Sequence, residues 1–381
     1  MNASLPQSFS TLLLFMYLSP FGGSTFEGLG FLDLSHNESQ ANAVSADGTA
    51  VIGFSQLSTG PAPNAGGVRW NMNGSHDFIP ATPGPTSGFP YPMVVSADGG
   101  KVAGFSFNVE EYCFTWDLGS GSTYLTEGGV GAMSADGTVI TGAQSLLVDG
   151  FFISAAWRIV NGNKSFIGGL PQTSSEDRVP GAITPDGLYI AGREKDQDEY
   201  RIFIWDEVNG FEYLQSPFDW TTMFVRDMSS NRSIVVGRAN TLTGWQAAVW
   251  RRGQNPIALG DFPGGDLNSG ANAVSRGGHL VLGFGETALG TEAFLWDRIL
   301  GFQHLGDWLE TRFGLDLGTW VLHEARGISA DNRVIAGIGT NPSGNFEAWV
   351  VRLEDALLGL TEYLPLWETG EATLFDLISA V

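Results

Sequence analysis

The chain reads as an all-β protein, a single seven-bladed β-propeller of four-stranded blades. Two observations carry this. One phrase, close to Val-Ser-Ala-Asp-Gly followed by Val-Ile-Gly, recurs seven times, and seven of the 12 tryptophans occupy one equivalent place after it. The chain ends add a third: six units end in a fourth strand, and a seventh candidate precedes the first unit, so the ring closes at seven.

Each element of the unit has its own signal. The first strand is built of small residues, as at 41–45, and leads into a turn carrying Asp47, Asp98, Asp136, Asp186 or Asp331. Asp-Gly is a strong hairpin signal because both positions tolerate positive φ. The second strand carries the valine–isoleucine pair and stops at an anchoring glycine: Gly53, Gly104, Gly142, Gly192, Gly237, Gly283 and Gly337. The third strand ends on Trp70, Trp116, Trp157, Trp205, Trp250, Trp296 or Trp349. The fourth is aromatic or leucine-rich, as at 211–214 and 301–305. Three copies, at Met228-Ser229-Ser230-Asn231, Ala273-Val274-Ser275-Arg276-Gly277 and Ile328-Ser329-Ala330-Asp331-Asn332, depart further from the phrase. A β-solenoid usually has a shorter period, and a β-sandwich has no such period.

Residues 26–352 therefore form the propeller. Residues 29–34 are the expected closing strand, donated to the last blade so that two free sheet edges disappear. Residues 307–313 have helical spacing and read as an insertion, and 353–381 read as a short C-terminal helical tail. Residues 1–25 read as a signal peptide or a disordered leader. Leu12-Leu13-Leu14-Phe15-Met16 is apolar and small residues follow, but the first basic residue is Arg69. No stretch reaches transmembrane length.

Composition agrees. The 52 glycines, 12% aromatic and 16% charged residues among 381 suit many short strands joined by turns. The formal charge of -22 repels phosphate backbones and anionic lipid, so no nucleic-acid partner and no stable membrane insertion are expected. A single cysteine, Cys113, rules out an intramolecular disulfide.

The repeat resembles the HAF repeats of probable extracellular bacterial proteins. The matches are residues 43–53, 257–265 with Leu-Gly-Asp-Phe-Pro-Gly-Gly, 271–275 and 292–296, and 308–349 looks like a closing unit. The resemblance covers roughly 28–352. It implies a secreted or surface-exposed propeller and brings no established catalytic motif.

A residue present in most blades serves the blade, so the turn aspartates and the tryptophans are assigned to architecture. Function is sought where the units differ. The loops from fourth strand to next blade, and from second to third strand, share one face with the channel mouth and are polar. They present His36 and Glu38, then Glu176 and Asp177, and residues 261–269. The alternating carboxylates of Glu194-Lys195-Asp196-Gln197-Asp198-Glu199 leave calcium as a secondary reading, without an Asp-x-Asp-x-Asp-Gly loop. Otherwise no cofactor is expected.

Three residues before the repeat serine, on the innermost strand, stand Asn42, Met93, Gly131, Gly181, Arg226, Asn272 and Arg326. Arg226 and Arg326 depart from the asparagine pattern and are candidates to hold a carboxylate or sulfate, unless Asp227 and Glu324 neutralise them locally. The five histidines show no metal-ligand spacing. No Gly-x-Ser-x-Gly elbow or phosphate loop occurs. The expected function is a secreted or cell-surface binding or scaffold propeller that recognises a glycan or protein through its loop-rich face. The alternatives are a polysaccharide hydrolase or lyase with its site at the channel mouth, and a stalk of a larger surface assembly.

Overall fold

The computed structural model describes residues 23–33, 35–57, 65–80, 88–107, 111–171, 173, 176–197, 199–217 and 219–354. Almost all of the expected leader and tail lies outside these residues, as do Leu34, Ser174, Ser175 and Asp198.

Seven four-stranded antiparallel sheets form a ring, a β-propeller. The first strands of blades 1 to 7 are Glu38–Val44, Phe89–Val95, Gly129–Met133, Glu176–Ile183, Thr222–Met228, Gly270–Val274 and Val321–Ile328. Each contacts the first strand of the next blade, and the last contacts the first, so these strands wall a central channel. Closure is by a donated N-terminal strand, but upstream of the expected one. Thr25–Gly28 pairs with Phe346–Arg352 as the fourth strand of blade 7, with Gly28 opposite Trp349. Residues 29–33 form no strand; beyond the Leu29 N–H bond to Ala348 O (2.8 Å) the chain turns away to enter blade 1. The helix covers Leu305–Phe313, and its apolar stripe of Leu305, Leu309 and Phe313 is buried beside blades 6 and 7.

The repeated residues are architectural in a way that geometry makes explicit. All seven repeat tryptophans are buried, three of them completely. In blade 1 the Ser45 hydroxyl donates to Asp47 Oδ1 (2.7 Å), which also accepts the Thr49 N–H (2.9 Å), while Gly48 takes φ 73°. Blade 2 repeats this at Ser96 and Asp98, and blade 3 at Ser134 and Asp136. The serine hydroxyl holds the carboxyls of Asp98 and Asp136 below the usual carboxylate range. The turns also bond to one another around the ring: Asp47 N–H to Ala97 O, Ala97 N–H to Ala135 O, Ala135 N–H to Pro185 O, and Ala330 N–H back to Ala46 O. Pro185 has no N–H with which to continue this chain of bonds into blade 5.

Each first strand bulges at the position three residues before the repeat serine. Asn42, Met93, Gly131, Gly181, Arg226, Asn272 and Arg326 are all left without a cross-strand partner. The bulge explains the anchoring glycines. It brings the carbonyl oxygen two residues earlier against the second strand, where a Cβ on Gly53 or Gly237 would lie 1.8 Å from it. At the other five anchors the distance is 1.9–2.6 Å, so any side chain there would meet backbone.

Candidate functional site

A bulge frees a side chain from the ladder and re-aims it, and here the seven freed positions ring the channel. Asparagine uses the freedom to join blades. Asn42 Nδ2 donates to Pro92 O of blade 2 (2.8 Å), and Asn272 Nδ2 donates to Ala325 O of blade 7 (3.1 Å). Where the position is Gly131 or Gly181, the equivalent carbonyl of the next blade lies 2.4 or 2.2 Å from where a Cβ would be.

The two arginines behave differently. Arg326 is bound: Nε to Glu324 Oε2 (2.9 Å), and Nη1 to Asn42 Oδ1 (2.9 Å) and Gln40 Oε1 (3.2 Å) across the blade 7–blade 1 seam. For Arg326 the local neutralisation by Glu324 holds. For Arg226 neutralisation by Asp227 does not. Asp227 turns into the seam with blade 6 and accepts the N–H groups of Met228 (2.7 Å) and Val274 (2.9 Å). Desolvation raises its pKa to about 6.

Arg226 has no hydrogen-bond or ion-pair partner among the described residues, and water reaches it. Desolvation first, then the like charge of Arg326, pushes its pKa down, against the opposing pull of Glu324. A cation that is both wetted and surrounded by protein is one standing in a narrow channel.

Above Arg226, towards the loop-rich face, lies an arginine–aromatic band that the sequence reading did not single out. Arg193 stacks between Tyr200 (5.5 Å) and Phe224 (5.1 Å). Phe224 lies 5.8 Å from Trp245, and Arg238 stacks between Trp245 (4.4 Å) and Phe284 (5.7 Å). Arg238 Nη2 donates to Asn268 Oδ1 (2.7 Å), while the buried Nε of both Arg193 and Arg238 lacks an acceptor. Burial and then the charge of Arg226 lower the pKa of Arg238. The missed signal was the position after the anchoring glycine, which is phenylalanine in blades 1, 2 and 6 but arginine in blades 4 and 5.

Next to this band lies a cleft of about 620 Å³ between blades 2, 3 and 4, whose lining residue Val179 pairs with Arg193 across the ladder. Tyr112, Tyr124 and Phe152 supply aromatic surface, Glu127, Gln144 and Ser154 supply polar groups, and residues 128–131 open it towards the channel. Three glycines among those four residues leave almost no side chain in the way. The long hairpin of blade 3, Val139–Val148 and Phe151–Val160, exposes Leu147, Phe151 and Phe152 at its tip beside the cleft.

The remaining sequence candidates are distributed as follows. Glu38 accepts from Gln40 Nε2 (3.0 Å) and Gln56 Nε2 (2.9 Å) and, with Arg326, acts electrostatically on Tyr91 at the channel wall. His36 is buried and bonded to Ser55 Oγ (2.9 Å), so it anchors the entry to blade 1 and is not presented at the mouth. Glu176 lies 3.4 Å from Arg178, and one carboxylate oxygen of Asp177 is buried without a partner. Both belong to the first strand of blade 4 and not to a loop. The acidic stretch at 194–199 is cross-linked by arginine: Glu194 to Arg178 (2.6 Å) and Asp196 to Arg201 (2.8 Å). Among the described residues no three His, Cys, Asp or Glu side chains come together as metal ligands. No helix of the described residues is long and apolar enough to cross a membrane.

No family model and no curated protein sequence matches the chain, so the resemblance to HAF repeats rests on the motifs alone. Solved structures do match in fold. An oligogalacturonate lyase from Vibrio parahaemolyticus superposes with a TM-score of 0.55 at 11% identity, over 86% of this chain and 93% of that one. An oligogalacturonate lyase in complex with manganese gives 0.55 at 13% identity, over 88% and 94%. A prolyl endopeptidase gives 0.53 at 11% identity, over 90% of this chain and 52% of that one. At such identities the likeness is one of fold, and a lyase and a peptidase share it.

Proposed function

We propose that the protein is a secreted or cell-surface propeller that binds a carboxylated or sulfated glycan at the loop-rich mouth of its channel. The observation that carries this reading is Arg226, a guanidinium unpaired among the described residues and standing in the channel of a protein of net charge -22. It lies below an arginine–aromatic band that adjoins an aromatic cleft of about 620 Å³, a volume that suits an oligosaccharide unit. Aromatic faces take the apolar faces of sugar rings, and a guanidinium takes a carboxylate or sulfate in a fork of two hydrogen bonds.

Binding is favoured over turnover by where the perturbed carboxyls sit. Among the described residues the two whose pKa is raised, Asp227 and Asp261, are tied by two and three backbone N–H groups respectively. A general acid must instead be free to reach substrate.

The test is an array of acidic and neutral glycans probed with wild type and with Arg226→Ala. The expected result is retention of carboxylated or sulfated glycans and a 10- to 100-fold loss in the variant, as for one charge-assisted hydrogen-bond pair, at unchanged or raised thermal stability. Equal binding by both proteins would refute the assignment. Product release from a panel of polysaccharides would replace it with the hydrolase or lyase reading.

A further inference from the structure

On the opposite face, where the tight turns lie, a groove of about 540 Å³ runs between blades 5 and 6. Its walls are the turn at Asn231 and Ser233, the turn at 277–279, the blade 5 hairpin carrying Arg251 and Arg252, and Trp296 with Arg298. It is distinct from the channel mouth in both place and composition.

Among the described residues the groove gathers three arginines and one histidine, and no carboxylate lines it. In a chain with 41 acidic and 19 basic side chains that is a local reversal of charge. Arg252 is fixed by Glu212 of blade 4, its Nε donating to Oε1 at 2.8 Å. Arg251 is not compensated in this way. Its Nε is buried without an acceptor, and desolvation, then the like charge of Arg298, lowers its pKa. Arg298 is exposed, and its sequence neighbour Asp297 is fully buried and accepts the N–H groups of Ile299 (2.7 Å) and Leu300 (3.3 Å).

Comparison of the blades shows that this reversal is local and two-sided. At the second residue after the repeat serine, five blades carry the turn aspartate, whereas blades 5 and 6 carry Asn231 and Gly277. Blades 5 and 6, which lack that carboxylate, place Arg251, Arg252 and Arg298 just after the repeat tryptophan, whereas blade 3, whose Arg158 stands in the same place, keeps Asp136 and pairs that arginine with Glu207 (2.7 Å). Holding the turn cannot require both changes, since the other blades hold theirs with aspartate.

We infer that the groove between blades 5 and 6 is a second binding site, for a small phosphate- or sulfate-bearing molecule. The oxyanion would sit between the guanidinium groups of Arg251 and Arg298, with Trp296 bordering the remainder of the ligand. Guanidinium groups match such tetrahedral oxyanions in geometry as well as in charge.

Inorganic phosphate, sulfate and pyrophosphate are the probes, titrated calorimetrically into the full chain, with acetate as a monoanion control. Pyrophosphate is expected to bind most tightly, with an affinity that falls as ionic strength rises. Arg298→Ala, at an exposed position, should weaken it about tenfold or more. Gly277→Asp restores the turn residue of five other blades at a position outside the left-handed region, so the fold should keep its stability while binding is lost. Arg226→Ala should leave pyrophosphate binding unchanged, which separates this site from the channel mouth. The inference falls if no probe binds at millimolar concentration, if Gly277→Asp binds as well as wild type, or if Arg226→Ala is the variant that loses binding.

Discussion

Replacing Gly237 by alanine isolates the relation between bulge and anchoring glycine. The added Cβ would stand 1.8 Å from Phe224 O and 2.9 Å from the carbonyl carbon. Ordinary carbon–oxygen contacts begin near 3.3 Å, so the strand must withdraw by about 1.5 Å. That oxygen belongs to the innermost strand, which blade 6 packs against, and the neighbouring core residues Val235, Ala248 and Trp250 are fully buried. Overpacking of about 1–3 kcal/mol plus a weakened ladder hydrogen bond of about 1 kcal/mol predicts a loss of roughly 2–4 kcal/mol. Gly306→Ala is the control: it lies in the helix, its Cβ would meet only Leu317 at 3.6 Å, and helix propensity predicts a gain of about 0.5–1 kcal/mol. Urea unfolding followed by tryptophan fluorescence measures both. Refutation would be a Gly237→Ala midpoint within about 1 kcal/mol of wild type at unchanged m-value, because the carbonyl would then have room that the geometry denies it.

Asn332 holds the turn position with φ 59° that glycine holds in five blades, and its Oδ1 is buried without a partner. Asn332→Gly should therefore raise stability by about 0.5–1 kcal/mol in the same urea assay. Arg326→Ala severs the side-chain link from blade 7 to Asn42 and Gln40 and should lower stability by about 1–3 kcal/mol; equal stability of the Arg226→Ala and Arg326→Ala variants would contradict the different partners of the two residues. Asp227, with a folded pKa of about 6 against an ordinary 3.8, binds its proton more tightly when folded. Its contribution is thus greatest below pH 4 and is lost as pH rises to 6, by roughly 3 kcal/mol at most. The stability gap between wild type and Asp227→Asn should move in favour of the variant across that window, and a gap independent of pH would dismiss the shift.

The architecture was legible because it is written seven times. The tryptophans, the serine–aspartate turns and the anchoring glycines each answer a demand that every blade repeats, so one alignment of the chain with itself exposes them. The closing strand was placed too late. Residues 29–34 look like a fourth strand by composition, but Thr25–Gly28 is what lies against Phe346–Arg352, and the apolar Leu29 and Leu32 pack with the blade 1 and blade 7 core from outside any strand. Burial of those leucines satisfies the same hydrophobic pattern that a strand would, and pattern alone does not tell the two apart.

The site was legible only where it interrupts the repeat along one aligned column. Arg226 and Arg326 stand out because the column three residues before the serine is otherwise asparagine, glycine or methionine; Arg193, Arg238, Arg251 and Arg298 sit in the columns that follow the anchoring glycine or the repeat tryptophan. What no column reports is pairing. Arg226 and Arg326 are equivalent in register and alike in chemistry, yet one is bonded across a seam and the other is unpaired. The difference comes from Asp227, which lies beside Arg226 in sequence but takes its hydrogen bonds from Met228 and the next blade. In a propeller, successive residues of the first strand face the channel and the blade seam in turn. A carboxylate one step along the strand is therefore the wrong partner for a channel-facing guanidinium, and one two steps away, as Glu324 is from Arg326, is the right one. The parity rule holds within one sheet only. Arg252 has no acidic second neighbour, yet Glu212 of blade 4 binds it across a seam (2.8 Å). A guanidinium is therefore free to meet a ligand only where the facing blade also withholds a carboxylate.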